Sequence, residues 1–135
     1  MKSIKLDATI ENLTEVLLFI DKQLMSENVG IRTKMAIDVA VEELYVNIAR
    51  YAYAPDTGEA EIIVDVQDNP KAVEITFVDS GIPYDPLKKE DPDVNLSAEE
   101  RQIGGLGIFM VKKSMDDMRY EYKDNQNILT IRKEL

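Results

Sequence analysis

Polar and apolar residues alternate through residues 3–8, with Ile4, Leu6 and Ala8 on one side and Ser3, Lys5 and Asp7 on the other. That period of two predicts a half-buried strand. From Glu11 the period lengthens: Leu13, Val16, Leu17, Ile20 and Leu24 share one face of an amphipathic helix, for which Gly30 is the expected C-terminal breaker. A second helix is predicted over about residues 31–53, closed by the turn signal Ala54-Pro55-Asp56-Thr57-Gly58. Ile62, Val64 and Val66, then Val73, Ile75 and Phe77, alternate on either side of the breaker Asp68-Asn69-Pro70, the pattern of a hairpin. Residues 79–104 hold three Pro and two Gly and read as a long loop, a length that usually marks a functional lid or a disordered segment. A short helix is predicted over 106–115, and two last strands over 118–123 and 127–133, turning at Asp124-Asn125-Gln126.

The order is therefore β-α-α-β-β-loop-α-β-β. Hairpin-linked strands with helices grouped apart from them predict an α+β two-layer sandwich, a mixed and mostly antiparallel sheet with helices on one face. No linker or repeat divides the chain, so residues 1–135 are expected to form a single domain.

Composition narrows the chemistry. The chain has no Cys, His or Trp, which removes the common zinc sites, Ser-His and Cys-His dyads and a phosphohistidine intermediate. Carboxylates, amides, hydroxyls, Arg and Lys remain. The net charge of −10 argues against direct nucleic-acid binding, which needs Lys and Arg to displace counterions from phosphate. No apolar run approaches the ~20 residues that span a bilayer, and the first residues contain no apolar signal core, so the expectation is a cytoplasmic protein without membrane attachment. Within residues 85–100, six acids face two lysines. The simplest reading is a solvated loop whose acids point away from any phosphate site, toward a basic partner.

Three groupings could carry chemistry. On the second helix Asn47 lies about 40° from Glu43 and Arg50 about 20° to its other side, sharing a stripe with Ala36 and Ala40 beside the apolar face of Ile37, Val41, Leu44 and Ile48. Spacing alone leaves a solvated flank open. The alternative is a carboxylate, a carboxamide and a guanidinium aimed into one cavity, a set suited to magnesium-bound polyphosphate. Asp79-Ser80-Gly81 ends an alternating strand; it is either an ordinary turn or a carboxylate placed to accept from an exocyclic amine. Gly104-Gly105-Leu106-Gly107 opens a helical run. Glycine-rich backbone at a helix start favours anions, yet neither a Walker loop nor a dinucleotide fingerprint is present, since no Gly-Lys-Ser/Thr follows and position 110 is Met. Phe109, Met110, Met115 and Met118 read as core and gap-filling residues.

Taken in order, these segments resemble the boxes of the GHKL, or Bergerat-fold, ATPases, most closely the small RsbW/SpoIIAB-like anti-sigma factor serine kinases. Residues 43–53, from Glu43 to Tyr53, are similar to the N-box, and residues 79–86, from Asp79 to Pro86, to the adenine-binding box. Residues 104–111, with Met115-Asp116, look like the glycine-rich box and the helix after it, and Asn127-Ile128-Leu129-Thr130 like the closing strand. The resemblance covers nearly the whole chain.

It implies ATP and Mg as ligands, with Asn47 binding magnesium and Glu43 acting as general base on a substrate hydroxyl. Arg50 would contact phosphate. Asp79 would accept the adenine amine, helped by Gly81 and by a water held in part by Thr130. Gly104, Gly105, Leu106 and Gly107 would bind the phosphates, and residues 85–104 would form the lid. Two positions depart from the pattern: Pro83 replaces the second glycine of the adenine box, as in some RsbW-like relatives, and Tyr51 stands where many relatives carry His. The resemblance further implies a homodimeric serine/threonine kinase that phosphorylates a STAS-type anti-anti-sigma partner and sequesters a sigma factor. The alternative is a nucleotide-gated regulatory binding module without significant kinase activity. A histidine kinase fragment is disfavoured because the chain carries no phosphoacceptor His.

Overall fold

The computed structural model describes residues 1–88 and 105–135. Five strands, β1 (Lys2–Asp7), β2 (Glu59–Gln67), β3 (Ala72–Asp79), β4 (Asp117–Lys123) and β5 (Gln126–Glu134), accompany three helices, α1 (Leu13–Leu24), α2 (Ile31–Asn47) and α3 (Gly105–Ser114). The expected element order is present. The strands form one sheet in the order β1-β2-β3-β5-β4, and every pairing is antiparallel where a mixed sheet was expected. The chain passes from β3 to β5 through α3 and the β4 hairpin, which brings the closing strand back against β3 in the opposite direction.

Strand alternation sends Ile62, Val64, Val73, Ile75, Phe77, Leu129 and Ile131 into one core with Val16, Ile20 and Leu24 of α1, Ile37, Val41 and Leu44 of α2, and Ile108 and Val111 of α3. The opposite face carries Lys5, Glu61, Asp65, Glu74, Arg119 and Arg132, with Arg119 paired to Glu74 across the strands at 3.0 Å. Helices on one side and charge on the other are what a period of two with one apolar face produces. Fully buried Tyr45 ties α2 to the chain leaving β1, its hydroxyl donating to Thr9 O at 2.7 Å. No helix among the described residues is long and apolar enough to cross a membrane.

Two helix ends differ from the sequence expectation. The first helix ends at Leu24, well before Gly30, and a turn follows over residues 25–28 in which Asn28 takes a left-handed conformation (φ 53°) that Asn tolerates. Gly30 instead caps the start of α2 in an extended conformation. The second helix is α-helical only to Asn47 and continues as a π turn over Ile48–Ala52. Met110, expected in the core, is 53% exposed, whereas Met115 is buried. Of the long loop, residues 89–104 lie outside the described residues, including Gly104 and nearly all of the expected lid.

Candidate nucleotide site

A cavity of about 410 Å³ opens between α2 and the end of the sheet, lined by Leu44, Asn47, Ile48, Phe77, Asp79, Ile108, Tyr120, Asn127 and Leu129, among others. Its walls are mostly apolar, with few polar groups, the usual make-up of a small-molecule site, and its size lies within the common range of roughly 300–1,000 Å³.

Asp79 supplies the buried charge. It is the last residue of β3, and the register sets it between Ala60 on β2 and Asn127 on β5. Its Oδ1 accepts from the Gly81 N–H at 2.9 Å and from Asn127 Nδ2 at 2.9 Å. Among the described residues Oδ2 has no hydrogen-bond partner. An ionised carboxylate is acceptor-only, so the free oxygen calls for an N–H or O–H donor from whatever fills the cavity.

The turn after Asp79 presses directly on the end of the long helix. Ile82 N–H donates to Ala52 O at 3.0 Å, and a Cβ on Gly81 would overlap that same carbonyl. Only glycine leaves the backbone room at this crossing. Tyr53 fastens the junction, its hydroxyl donating to Glu59 O at 2.6 Å and accepting from the Ser80 N–H at 2.7 Å.

The stripe on α2 divides as its angles require. Asn47 lines the cavity with Leu44, Ile48, Tyr51 and Ala52. Glu43 and Arg50 are not among its lining residues; Glu43 is half-buried and Arg50 exposed. Burial raises the Glu43 carboxyl above its ordinary pKa, the neighbouring Glu42 charge adds to the rise, and the Arg50 guanidinium opposes it. Glu43 also meets the glycine-rich helix: a Cβ on Gly107 would overlap its carboxylate. The N-terminal turn of α3, with Gly105, Leu106 and Gly107, therefore starts beside Glu43, and Ile108 reaches the cavity wall.

Thr130 does not join this site. It lies three residues from Asn127 on β5, an odd step that turns it to the opposite sheet face, where its hydroxyl meets that of Thr76 at 3.0 Å. The polar residue beside Asp79 is Asn127, which the sequence reading placed in the closing strand without a role. The signal was available: Leu129 and Ile131 are the core-facing residues of that strand, and Asn127 shares their parity. Tyr51 and Tyr84 also line the cavity, and Pro83 stands on its wall.

The residues present fit a purine nucleotide with magnesium. Asp79 has one free acceptor oxygen in a cavity of suitable size, Gly81 allows close backbone approach, and Asn47 offers a carboxamide oxygen. Among the described residues no group of three or more acidic side chains could hold a metal ion.

This two-layer arrangement is the fold of the GHKL class of ATPases. More specifically, the chain belongs to the histidine kinase-like ATPase domain family, whose profile matches residues 6–133. It is similar to the serine/threonine-protein kinase BtrW of Bordetella bronchiseptica, 23% identical over 129 residues that cover 96% of this chain and 90% of that protein. It is also similar to the serine-protein kinases RsbW of Bacillus thuringiensis and of Bacillus cereus, 28% and 30% identical over 95 residues, 67% of this chain. The chain spans 58% of the length of those Bacillus relatives.

Proposed function

We propose that this protein binds magnesium-ATP in the cavity and transfers the γ-phosphoryl group to a serine or threonine of a protein partner. The observation that carries the reading is the free Oδ2 of buried Asp79 at the end of an apolar cavity, beside a Gly81 that has no room for a side chain. Asp79 accepts from the adenine amine, Asn47 provides an oxygen for magnesium, and the first turn of α3 offers N–H groups to phosphate. Arg50, exposed and three residues after Asn47, supplies positive charge. Transfer breaks the bond from the γ-phosphorus to the ADP oxygen and forms one to the partner's hydroxyl oxygen, while the hydroxyl proton passes to Glu43. The raised pKa of Glu43 suits a base, since a more basic carboxylate takes a proton more readily.

The names of the relatives support a serine or threonine kinase, and the motif resemblance supports a STAS-type anti-anti-sigma protein as the substrate. The resemblance also supports sequestration of a sigma factor by a homodimer in the cytoplasm. A second reading, a nucleotide-gated binding module with little phosphotransfer, is favoured by one observation: Glu43 is not among the residues that line the cavity.

Phosphotransfer from γ-labelled ATP to a STAS partner, measured for wild type and Glu43→Gln, separates the two. The kinase reading requires transfer by wild type and its loss in the variant, with ATP binding retained. Wild type that binds ATP and transfers nothing supports the binding module.

A further inference from the structure

We infer that Asn127 is a specificity-determining positioning residue: by holding one oxygen of Asp79, it leaves the other as an acceptor that selects a 6-amino purine over a 6-oxo purine. This inference rests on the proposed nucleotide site.

The Asn127 side chain is buried, and its polar atoms are all used. Nδ2 donates to Asp79 Oδ1 at 2.9 Å and to Ile82 O at 2.9 Å. Oδ1 accepts from the Tyr84 N–H at 3.0 Å and from the Tyr120 hydroxyl. The backbone N–H of Tyr84 can only donate, so the amide orientation is determined and Nδ2 must face Asp79. Burial raises the Tyr120 hydroxyl above its ordinary pKa, which keeps it a neutral donor.

The last side-chain torsion of Asp is broad and roughly two-fold, so a carboxylate without partners could turn either oxygen, or a mixture of orientations, toward a ligand. Two donors on Oδ1, from Gly81 and Asn127, fix that torsion. Oδ2 then faces the cavity in one direction, as an acceptor only. An exocyclic amine at purine C6 satisfies it, whereas a carbonyl at C6 sets oxygen against oxygen. Sites built around a required hydrogen bond discriminate far better than apolar pockets do, because the wrong ligand leaves a buried group unpaired. Asn127 also joins Asp79 to the Ile82–Tyr84 segment on the cavity wall, so base reading and wall placement depend on one amide.

The test is the ratio of dissociation constants for ITP and ATP, measured with magnesium by titration calorimetry on wild type, Asn127→Leu and Tyr120→Phe, with circular dichroism confirming that each is folded. Leu matches Asn in branching and in its number of side-chain heavy atoms, and removes every polar contact. Tyr120→Phe removes only one donor to the amide, and serves if the first variant does not fold. Wild type should prefer ATP. The preference should shrink about tenfold in Asn127→Leu, the scale of a hydrogen bond to a charged group, and by a smaller factor of about three in Tyr120→Phe. A purely structural role would weaken both nucleotides equally and leave the ratio unchanged. An unchanged ratio in folded Asn127→Leu overturns the inference, as does an unchanged ratio in Tyr120→Phe if the leucine variant is unfolded. Wild type that binds neither triphosphate overturns the nucleotide reading and this inference together, whereas ATP preference with unaltered ratios overturns the inference alone.

Discussion

Asp79 and Asn127 face each other across adjacent antiparallel strands, joined by a 2.9 Å hydrogen bond that uses one oxygen of the carboxylate and leaves the other to the cavity. The pair follows from register. β3 and β5 are aligned so that their core-facing apolar residues, Phe77 with Leu129 and Ile75 with Ile131, sit opposite each other, and two residues further along the same parity delivers the two polar ones. The packing of the sheet thereby sets the chemistry at its end.

The crossing of Gly81 over Ala52 should be intolerant of any side chain. Gly81→Ala would drive a Cβ into the Ala52 carbonyl and separate Ile82 N–H from it. The expected cost is about 1–3 kcal/mol of stability, from overpacking and a lost hydrogen bond. Urea unfolding of the variant against wild type measures it.

Gly107→Ala should behave differently, because the atoms in its way are the far end of the flexible Glu43 side chain. Stability should change little while Glu43 is displaced. Phosphotransfer should then fall on the order of 10²-fold, the scale of a misplacement of about 1 Å at a reacting group. Parallel unfolding and kinase assays should show that separation, and equal losses in both would count against it.

The pH dependence of Glu43 has a definite sign. Its carboxyl is raised in the folded protein by burial, then by Glu42, against the opposing Arg50, so the native state holds this proton more tightly than the unfolded chain does. Its contribution to stability is fully present below the ordinary glutamate pKa and is lost as pH rises through the raised value. Glu43→Gln should therefore show a smaller loss of stability over that acid range. At neutral pH it should be no less stable than wild type, although inactive. Arg50→Ala, by removing the opposing charge, should move the acidic limb of the pH–rate profile to higher pH. Urea titrations and initial rates over a pH series read both effects.

Tyr53 joins the end of the π turn to both neighbouring strands through one hydroxyl. Tyr53→Phe leaves the Glu59 carbonyl and the Ser80 N–H without that partner. A loss of about 1–2 kcal/mol is expected, together with weaker ATP binding, since Ser80 lies between Asp79 and Gly81. Urea unfolding and nucleotide titration on the same preparation test the two parts.

Much of this was legible in the chain. Period-two runs gave β1, β2 and β3, and the four-residue spacing of Val16, Ile20 and Leu24 gave the buried face of α1, because burial on one side imposes those periods. Asn47 and Asp79, far apart in sequence, do meet on one cavity, as motif order implied. The misassignment of Thr130 came from reading a motif without its parity: a one-residue step on a strand changes the face, and the apolar Leu129 and Ile131 mark the core-facing one, which Thr130 does not share. Asn127 escaped notice because its value lies in partners from three separate segments, Asp79, Ile82–Tyr84 and Tyr120, brought together only by the fold. The end of α1 was misjudged because Gly30 caps the start of α2 and does not close α1, which stops at Leu24.

The most direct measurement is calorimetric titration of magnesium-ATP into wild type and Asp79→Asn. The substitution keeps size and shape but can present an amide N–H₂ where the cavity has an acceptor, donor against donor with the adenine amine. If Asp79 reads the base, wild type binds ATP and the variant binds it at least roughly tenfold more weakly, the scale of a hydrogen bond to a charged group, while remaining folded. Equal affinity in the two proteins, or no binding by wild type at millimolar ATP, would contradict the assignment of this cavity as an adenine nucleotide site.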